Sequence, residues 1–385
     1  MRSPADRLSV WVAGMVAADP HQGGATWAVL QYVLGLQRLG HRVLLVEPIP
    51  SEKVRPRGSP LGRSENAAYF REVVDAFGLE GAAALLLSGT HRTTGIPYRE
   101  LEARARRTDV LINIGGMLQD DALVGTIPAR VYLDLDPAFT QLWQAQGIDM
   151  RLDGHTSWFT VGPAVADGRS GLPDCGAPWT ATVPPVVLDL WPAAETIELD
   201  ALTTIANWRG YGSIEHEGTF YGQKAHSLRP LMALPARTGA RFVLGLAIDS
   251  GEADDLAALA MNGWELVDPV DAAGTPTAYQ TFVRGSRAEF GLTKGGYVVS
   301  RCGWFSDRSA CYLASGRPVI AQDTGFERYL PTGEGLFAFT SAEEVAAAIE
   351  ELSRDYRRHA VAARDIAVEH FDSDTVLSKL LESVP

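Results

Sequence analysis

The chain has 385 residues, 46% hydrophobic and 21% charged, a balance that excludes a disordered chain and gives cores enough for two or three domains. Its 34 basic and 47 acidic residues leave a formal charge of −13 with no basic stripe. That argues against nucleic acid as the main partner but leaves room for a local Arg and Lys pocket.

Met1 to Arg7 leads straight into the apolar strand Leu8 to Ala13, with no signal-peptide core, so a cytoplasmic location is expected. Gly14 to Gly24 reads as a loop, and Ala25 to Leu39 as a helix from the spacing of Val29, Tyr32, Val33, Leu36 and Leu39. Gly40 and His41 end it. Arg42 to Glu47 is a continuous Val/Leu strand of the kind buried on both faces of a parallel sheet. Helices follow near Ser64 to Phe77 and Tyr98 to Arg107, then strands Val110 to Ile114 and Ala129 to Leu135 and a helix near Ala138 to Gln146. This is a βαβ series with helices on both faces.

After His155 and the strand Trp158 to Val161, the stretch Pro163 to Pro192 is so rich in Gly and Pro that no regular element is predicted there, and the domain boundary falls within it. A second series follows: strand Leu202 to Trp208, helix Ala225 to Thr238, strand Arg241 to Ala247, helix Asp254 to Met261, strand Trp264 to Val267 and helix Thr277 to Ser286. Strands near Glu289 and Tyr297 and helices Ser341 to Leu352, Ser353 to Val368 and Thr375 to Leu381 complete it. The prediction is an α/β chain of two Rossmann-like domains, 1–185 and 186–370, facing each other across a cleft. The longest apolar runs, such as Val43 to Val46 and Phe242 to Ile248, fall short of the roughly 20 residues that span a bilayer, so no integral membrane segment is expected. Cys175, Cys302 and Cys311 form no CxxC pair and indicate neither a disulfide framework nor a zinc site.

Gly303 to Glu327 narrows function most. A polar turn opens a short helix at Asp307, Gly316 stops it, Pro318 to Ala321 makes a buried strand, and a second polar turn runs from Asp323 to Glu327. Two helix N-termini are thereby aimed at one sheet edge, where free N–H groups suit a phosphate or a cluster of sugar hydroxyls. The plainer alternative is a pair of capping turns.

Gly23-Gly24-Ala25 at a helix start, followed by Leu39-Gly40-His41-Arg42-Val43, resembles the opening of nucleotide-sugar glycosyltransferases of the GT-B fold, closest to the retaining, family 4-like class. Ala314-Ser315-Gly316-Arg317-Pro318-Val319-Ile320-Ala321 with Thr324-Gly325-Phe326-Glu327 is similar to their donor-site helix, strand and turn. The resemblance implies that Gly23 and Gly24 let the chain approach a donor diphosphate and that the last helix, within 371–385, packs back on the first domain. It implies donor contacts from Ser306, Asp307, Arg308, Ser309, Gly325, Phe326 and Glu327. It also implies two cations neutralising the diphosphate, Arg209 after the first strand of the second domain and Lys224 at the next helix start, with no metal and no cofactor beyond the nucleotide sugar. A cation at a helix N-terminus opposes the dipole, so Lys224 reads as awaiting an anion, against the alternative of a solvated lysine. The chain departs from the class at its paired glutamates: Gly303 and Cys311 stand there, leaving Asp307 to accept from a sugar hydroxyl and Arg308 to fork onto phosphate.

For the acceptor side the candidates are His21, Asp134, Asp136 and His155, with His21 or Asp136 the base if configuration inverts. Asp134-Leu135-Asp136 imitates a metal-binding DxD, but carboxylates at a strand end commonly cap the next helix, here after Pro137. Trp11, Trp27, Trp143, Trp158, Trp179 and Trp304 read as core or domain-interface rings, and only Phe326 as a base or sugar contact. The expected function is glycosyl transfer from a nucleoside-diphosphate sugar to a small-molecule or glycan acceptor. A non-catalytic sugar-nucleotide-binding helper subunit and a sugar-nucleotide epimerase are the alternatives, and a homodimer is left open.

Overall fold

The computed structural model describes residues 7–384. Eight strands form the first sheet: β1 Ser9–Ala13, β2 Arg42–Ile49, β3 Ala83–Leu87, β4 Thr93–Gly95, β5 Val110–Ile114, β6 Ala129–Asp134, β7 Ser157–Thr160 and β8 Trp179–Ala181. Their order is β4-β3-β2-β1-β5-β6-β7-β8, parallel throughout except where β4 returns antiparallel along β3. The central strands are buried on both faces, as their unbroken Val, Leu and Ile runs require.

The second sheet comprises β9 Leu199–Asn207, β12 Phe242–Ala247, β13 Glu265–Val267, β14 Ser286–Gly291, β15 Val319–Gln322 and β16 Leu336–Phe339, all parallel in the order β13-β12-β9-β14-β15-β16. A separate hairpin pairs β10 Ile214–His216 with β11 Thr219–Tyr221. In each sheet the first strand lies inside, with the next strands laid down to either side, and ligands of such sheets sit beyond the carboxyl ends at that reversal.

The differences from expectation include three segments whose local sequence explains them. Tyr297 lies in the helix Gly295–Ser300 instead of a strand, because a short apolar run has no period long enough to separate the two. The helix predicted over 225–238 is broken into Lys224–Leu228, a 3₁₀ turn Arg229–Leu231 and Leu234–Thr238, since Pro230 and Pro235 each withhold an N–H. The Gly/Pro-rich stretch does hold regular structure, the one-turn helix Pro163–Ala166 and β8.

The chain passes between the sheets after Ala181 and comes back at its end. At the crossing Val186 N–H donates to Phe371 C=O at 2.7 Å and Ser373 N–H donates to Val186 C=O at 2.9 Å, so outgoing and returning segments are hydrogen-bonded side by side. The final helix Ser373–Glu382 lies against the helix Gly23–Arg38, with Arg38 Nε donating to Asp374 at 3.0 Å. Between the lobes, Trp191 packs edge-on against Trp27 at 5.0 Å and Tyr279 at 6.1 Å. Among the described residues no helix is long and apolar enough to cross a membrane.

Candidate active site

A cavity of about 460 Å³ opens between the lobes at the carboxyl ends of both sheets, inside the roughly 300–1,000 Å³ range of ligand pockets. The first lobe contributes Pro20, His21, Gln22 and Gly24, then Gln31 and Tyr32 from the following helix. The second contributes Asn207 at the end of β9, Ala247 at the end of β12, Lys294 after β14, Lys224, and Ser306 to Arg308.

The loop carrying His21 is fastened from below. Glu47, in β2, is fully buried and accepts N–H bonds from Ala17 and Ala18 at 2.8 and 2.6 Å. Burial pushes its carboxyl up to about 7, against the pull of those amides. His21 itself adopts a left-handed backbone with φ of 62°, stands edge-on to Tyr69, and brings Nε2 to 3.1 Å from Glu65 Oε1. A histidine oriented by a carboxylate at the rim of a cavity can take a proton from a hydroxyl brought to it.

Lys224 opens the helix Lys224–Leu228 and reaches the cavity half-buried, with no hydrogen bond or ion pair to any described residue. Burial, with Arg308 and Lys294 nearby, pushes its ammonium down to about 7. Lys294 stands opposite in character. Its ammonium donates to both oxygens of Asp136, at 3.0 and 3.1 Å, and to the hydroxyls of Tyr211 and Tyr297, and it lies 4.0 Å from the centroid of the Tyr211 ring. Tyr211 and Tyr297 also donate to Asp136, so this cluster joins the end of the first sheet to the second lobe.

The structure brings together His21, Gly24, Lys224, Ser306, Asp307 and Arg308 at the cavity and sets the other sequence candidates elsewhere. Ser306 caps the helix Asp307–Ala314 by accepting from Arg308 N–H at 3.2 Å. Asp307 begins it, and burial raises its carboxyl while Arg308 opposes the rise. Arg308 is not a free fork: Nε donates to buried Glu289 at 2.6 Å and Nη1 to Ile205 C=O at 2.9 Å, which ties the helix start to β14 and β9. Ser309 is buried behind it, off the cavity. Arg209 is held by Glu252 outside the cavity, because Glu252, just before the helix Ala253–Met261, reaches it first.

Gly23 does not face an open anion site. A Cβ there would collide with the carbonyl oxygen of Thr275, and one at Gly24 would stand 2.8 Å from the Tyr279 ring, so the glycine pair serves lobe-to-lobe packing. Asp136 is saturated by Lys294 and the two tyrosines and does not line the cavity, which removes it as a free base. Asp134 is buried and accepts from Thr140, Gln141 and Thr160 at 2.7, 3.0 and 2.8 Å, a scaffold for the next helix. His155 lies away from the cavity, with Nε2 accepting from Asn113 Nδ2 at 3.1 Å and burial holding its ring below the usual imidazole range. Gly325, Phe326 and Glu327 also stand off it: Phe326 is core, edge-on to Phe305, and Glu327 pairs with Arg301 at 3.5 Å.

Sequence reading missed Lys294, Tyr297 and Trp304. Lys294 had a signal, a cation followed by Gly295-Gly296 directly after a buried strand; Trp304 stacks on Tyr297 at 4.3 Å and borders the cavity, where a core ring was expected. No group of three or more His, Cys, Asp or Glu placed to hold a metal ion occurs among the described residues.

No protein-family model and no curated protein matches the chain. Solved structures do. HepE of Anabaena in complex with UDP-glucose aligns over 98% of this chain and 99% of its own at 12% identity, with a TM-score of 0.60. An alpha-glucosyltransferase in complex with UDP-glucose and DNA containing an abasic site aligns over 98% of each chain at 13% identity and a TM-score of 0.61. A glycosyltransferase from Rickettsia africae aligns over 98% of this chain and 97% of its own at 12% identity and a TM-score of 0.56. The likeness runs through both lobes from end to end, and the fold of this chain is the two-lobed GT-B fold.

Proposed function

We propose that the protein is a glycosyltransferase that takes a sugar from a nucleoside diphosphate and hands it to an acceptor lying against the first lobe. The observation that carries this is Lys224, a crowded ammonium unpaired among the described residues, at the meeting of two sheet edges. Such a group is costly unless an anion comes to it. When the bond between the sugar C1 and the diphosphate oxygen breaks, its electrons pass to the diphosphate, and Lys224 meets that charge with Lys294 nearby. Two ammonium groups supply what a divalent cation would otherwise supply, so the reading is metal-independent.

His21, paired with Glu65 at the cavity rim, is the base for an inverting course and takes the proton of the acceptor hydroxyl as it attacks C1. In a retaining course the departing phosphate takes that proton. The formal charge of −13 favours an acceptor other than nucleic acid, although one structural neighbour is bound to DNA.

The test is incubation of the purified protein with a panel of nucleotide sugars, following release of the nucleoside diphosphate. Slow hydrolysis or transfer that Lys224→Met abolishes supports the enzyme. Binding without turnover fits the helper subunit, and a changed sugar on an intact nucleotide fits the epimerase.

A further inference from the structure

A second and larger hollow, about 750 Å³, lies in the first lobe at the carboxyl ends of β2, β3 and β5, on the same sheet edge that borders the cleft. Its wall carries one organised aromatic feature: the rings of His91 and Tyr98 stack with centroids 4.0 Å apart and planes 13° from parallel. Tyr98 is buried and donates to Asp120 at 2.8 Å, which fixes the pair, while His91 is exposed on the hollow's surface. Glu52, Asp121 and Arg151 also line it, and none of the three makes an ion pair with a described residue.

The loop that brings Leu118 to this hollow is held from behind. Asn113 at the end of β5 exchanges two 3.0 Å hydrogen bonds with the backbone of Leu118, and His155, in its neutral form, accepts from the same amide. Gly116, with φ of 63°, lets the loop after β5 close on Arg151: a Cβ there would stand 3.1 Å from that of Arg151.

We propose that this hollow seats a pyranose ring of a neutral carbohydrate acceptor, an inference that rests on the transferase reading above. The charges decide the ligand class. An anion would meet Glu52, Asp120 and Asp121, and a compact cation would meet Arg151. Sugar hydroxyls both donate and accept, so they pair with carboxylate and guanidinium alike, and charge-assisted bonds of this kind are the strong ones. The apolar C–H face of the same ring fits the outer face of a fixed aromatic plane, which His91 offers.

The experiment titrates the full chain with neutral methyl pyranosides and disaccharides by saturation-transfer NMR, with and without a nucleotide sugar. At least one sugar is expected to bind. His91→Ala should weaken it tenfold or more, His91→Phe should retain it, and Asp121→Asn should weaken it further, with nucleotide-sugar affinity unchanged in all three. Lys224→Met should do the reverse. Sugar binding that His91→Ala leaves unaltered, the failure of every neutral sugar to bind, or a preference for amine-bearing or acidic sugars overturns the proposal. If nucleotide sugars fail to bind while a neutral sugar binds through His91, the donor reading falls and the carbohydrate seat stands without its acceptor role.

Discussion

Around Arg308 and around Lys224 the same cavity wall is built to opposite ends. The Arg308 guanidinium spends its donors on Glu289 and on the carbonyls of β9 and the loop after β14, so its charge holds three elements together. Lys224 is given no hydrogen-bond or ion-pair partner among the described residues. Burial alone therefore does not mark a ligand-binding cation; the absence of an internal partner does, because the cost of an unpaired charge is relieved by an arriving anion or by loss of its proton.

The strongest way to break this comparison is Arg308→Ala. Glu289, 0% exposed, would be left as an unpaired carboxylate, and the unfolding free energy should fall by about 3–5 kcal/mol in denaturant titration. A loss below 1 kcal/mol would show that Arg308 is not structural. Lys224→Met should instead reduce nucleotide-sugar affinity about ten- to a hundredfold, the worth of one hydrogen bond to a charged group, without lowering stability.

The pH dependence sharpens the contrast. Because the Lys224 ammonium is pushed down to about 7 in the free protein, an anion must bring a proton with it above that pH. Nucleotide-sugar affinity should fall as pH rises past about 7 in the wild type and stay flat in Lys224→Met, as read by calorimetry. The sign for stability is opposite. A lysine lowered from 10.5 to about 7 in the fold penalises folding in full below 7, and the penalty lifts as pH climbs toward 10.5. Relative to Lys224→Met, the ligand-free wild type should therefore gain stability across that window.

Asp136→Asn probes the intermediate case, a cation that binds one lobe to the other. It should lower unfolding free energy by about 1–2 kcal/mol, since the carboxylate keeps some solvent contact. The smallest effect is expected at Arg209→Ala, an exposed pair with Glu252 worth about 0–1 kcal/mol, with donor affinity unchanged by titration.

Much of the architecture was legible because parallel strands buried on both faces spell themselves out in runs such as Val-Leu-Leu-Val, and because helices beside them keep their period. Ala83–Leu87 and Leu336–Phe339 escaped notice, being short apolar runs without period. At the cavity, the presence of Ser306 to Arg308 and Lys224 was expected from the family resemblance, with a dipole mismatch at Lys224 beside it, whereas the internal partners of Arg308 were not. Arg209 was misread because its partner Glu252 lies 43 residues away, and Asp136 because Lys294 lies 158 away. Pairing across such separations is set by tertiary packing and leaves no local trace.

The two backbone crossings zipped together at Val186 and Phe371 to Ser373 bear on how the molecule can move. A door hung on two adjoining pins swings about one line and resists being wrung. Any widening of the gap to admit a bulky substrate must turn about that seam, so the loops farthest from it travel most while the seam itself stays nearly still.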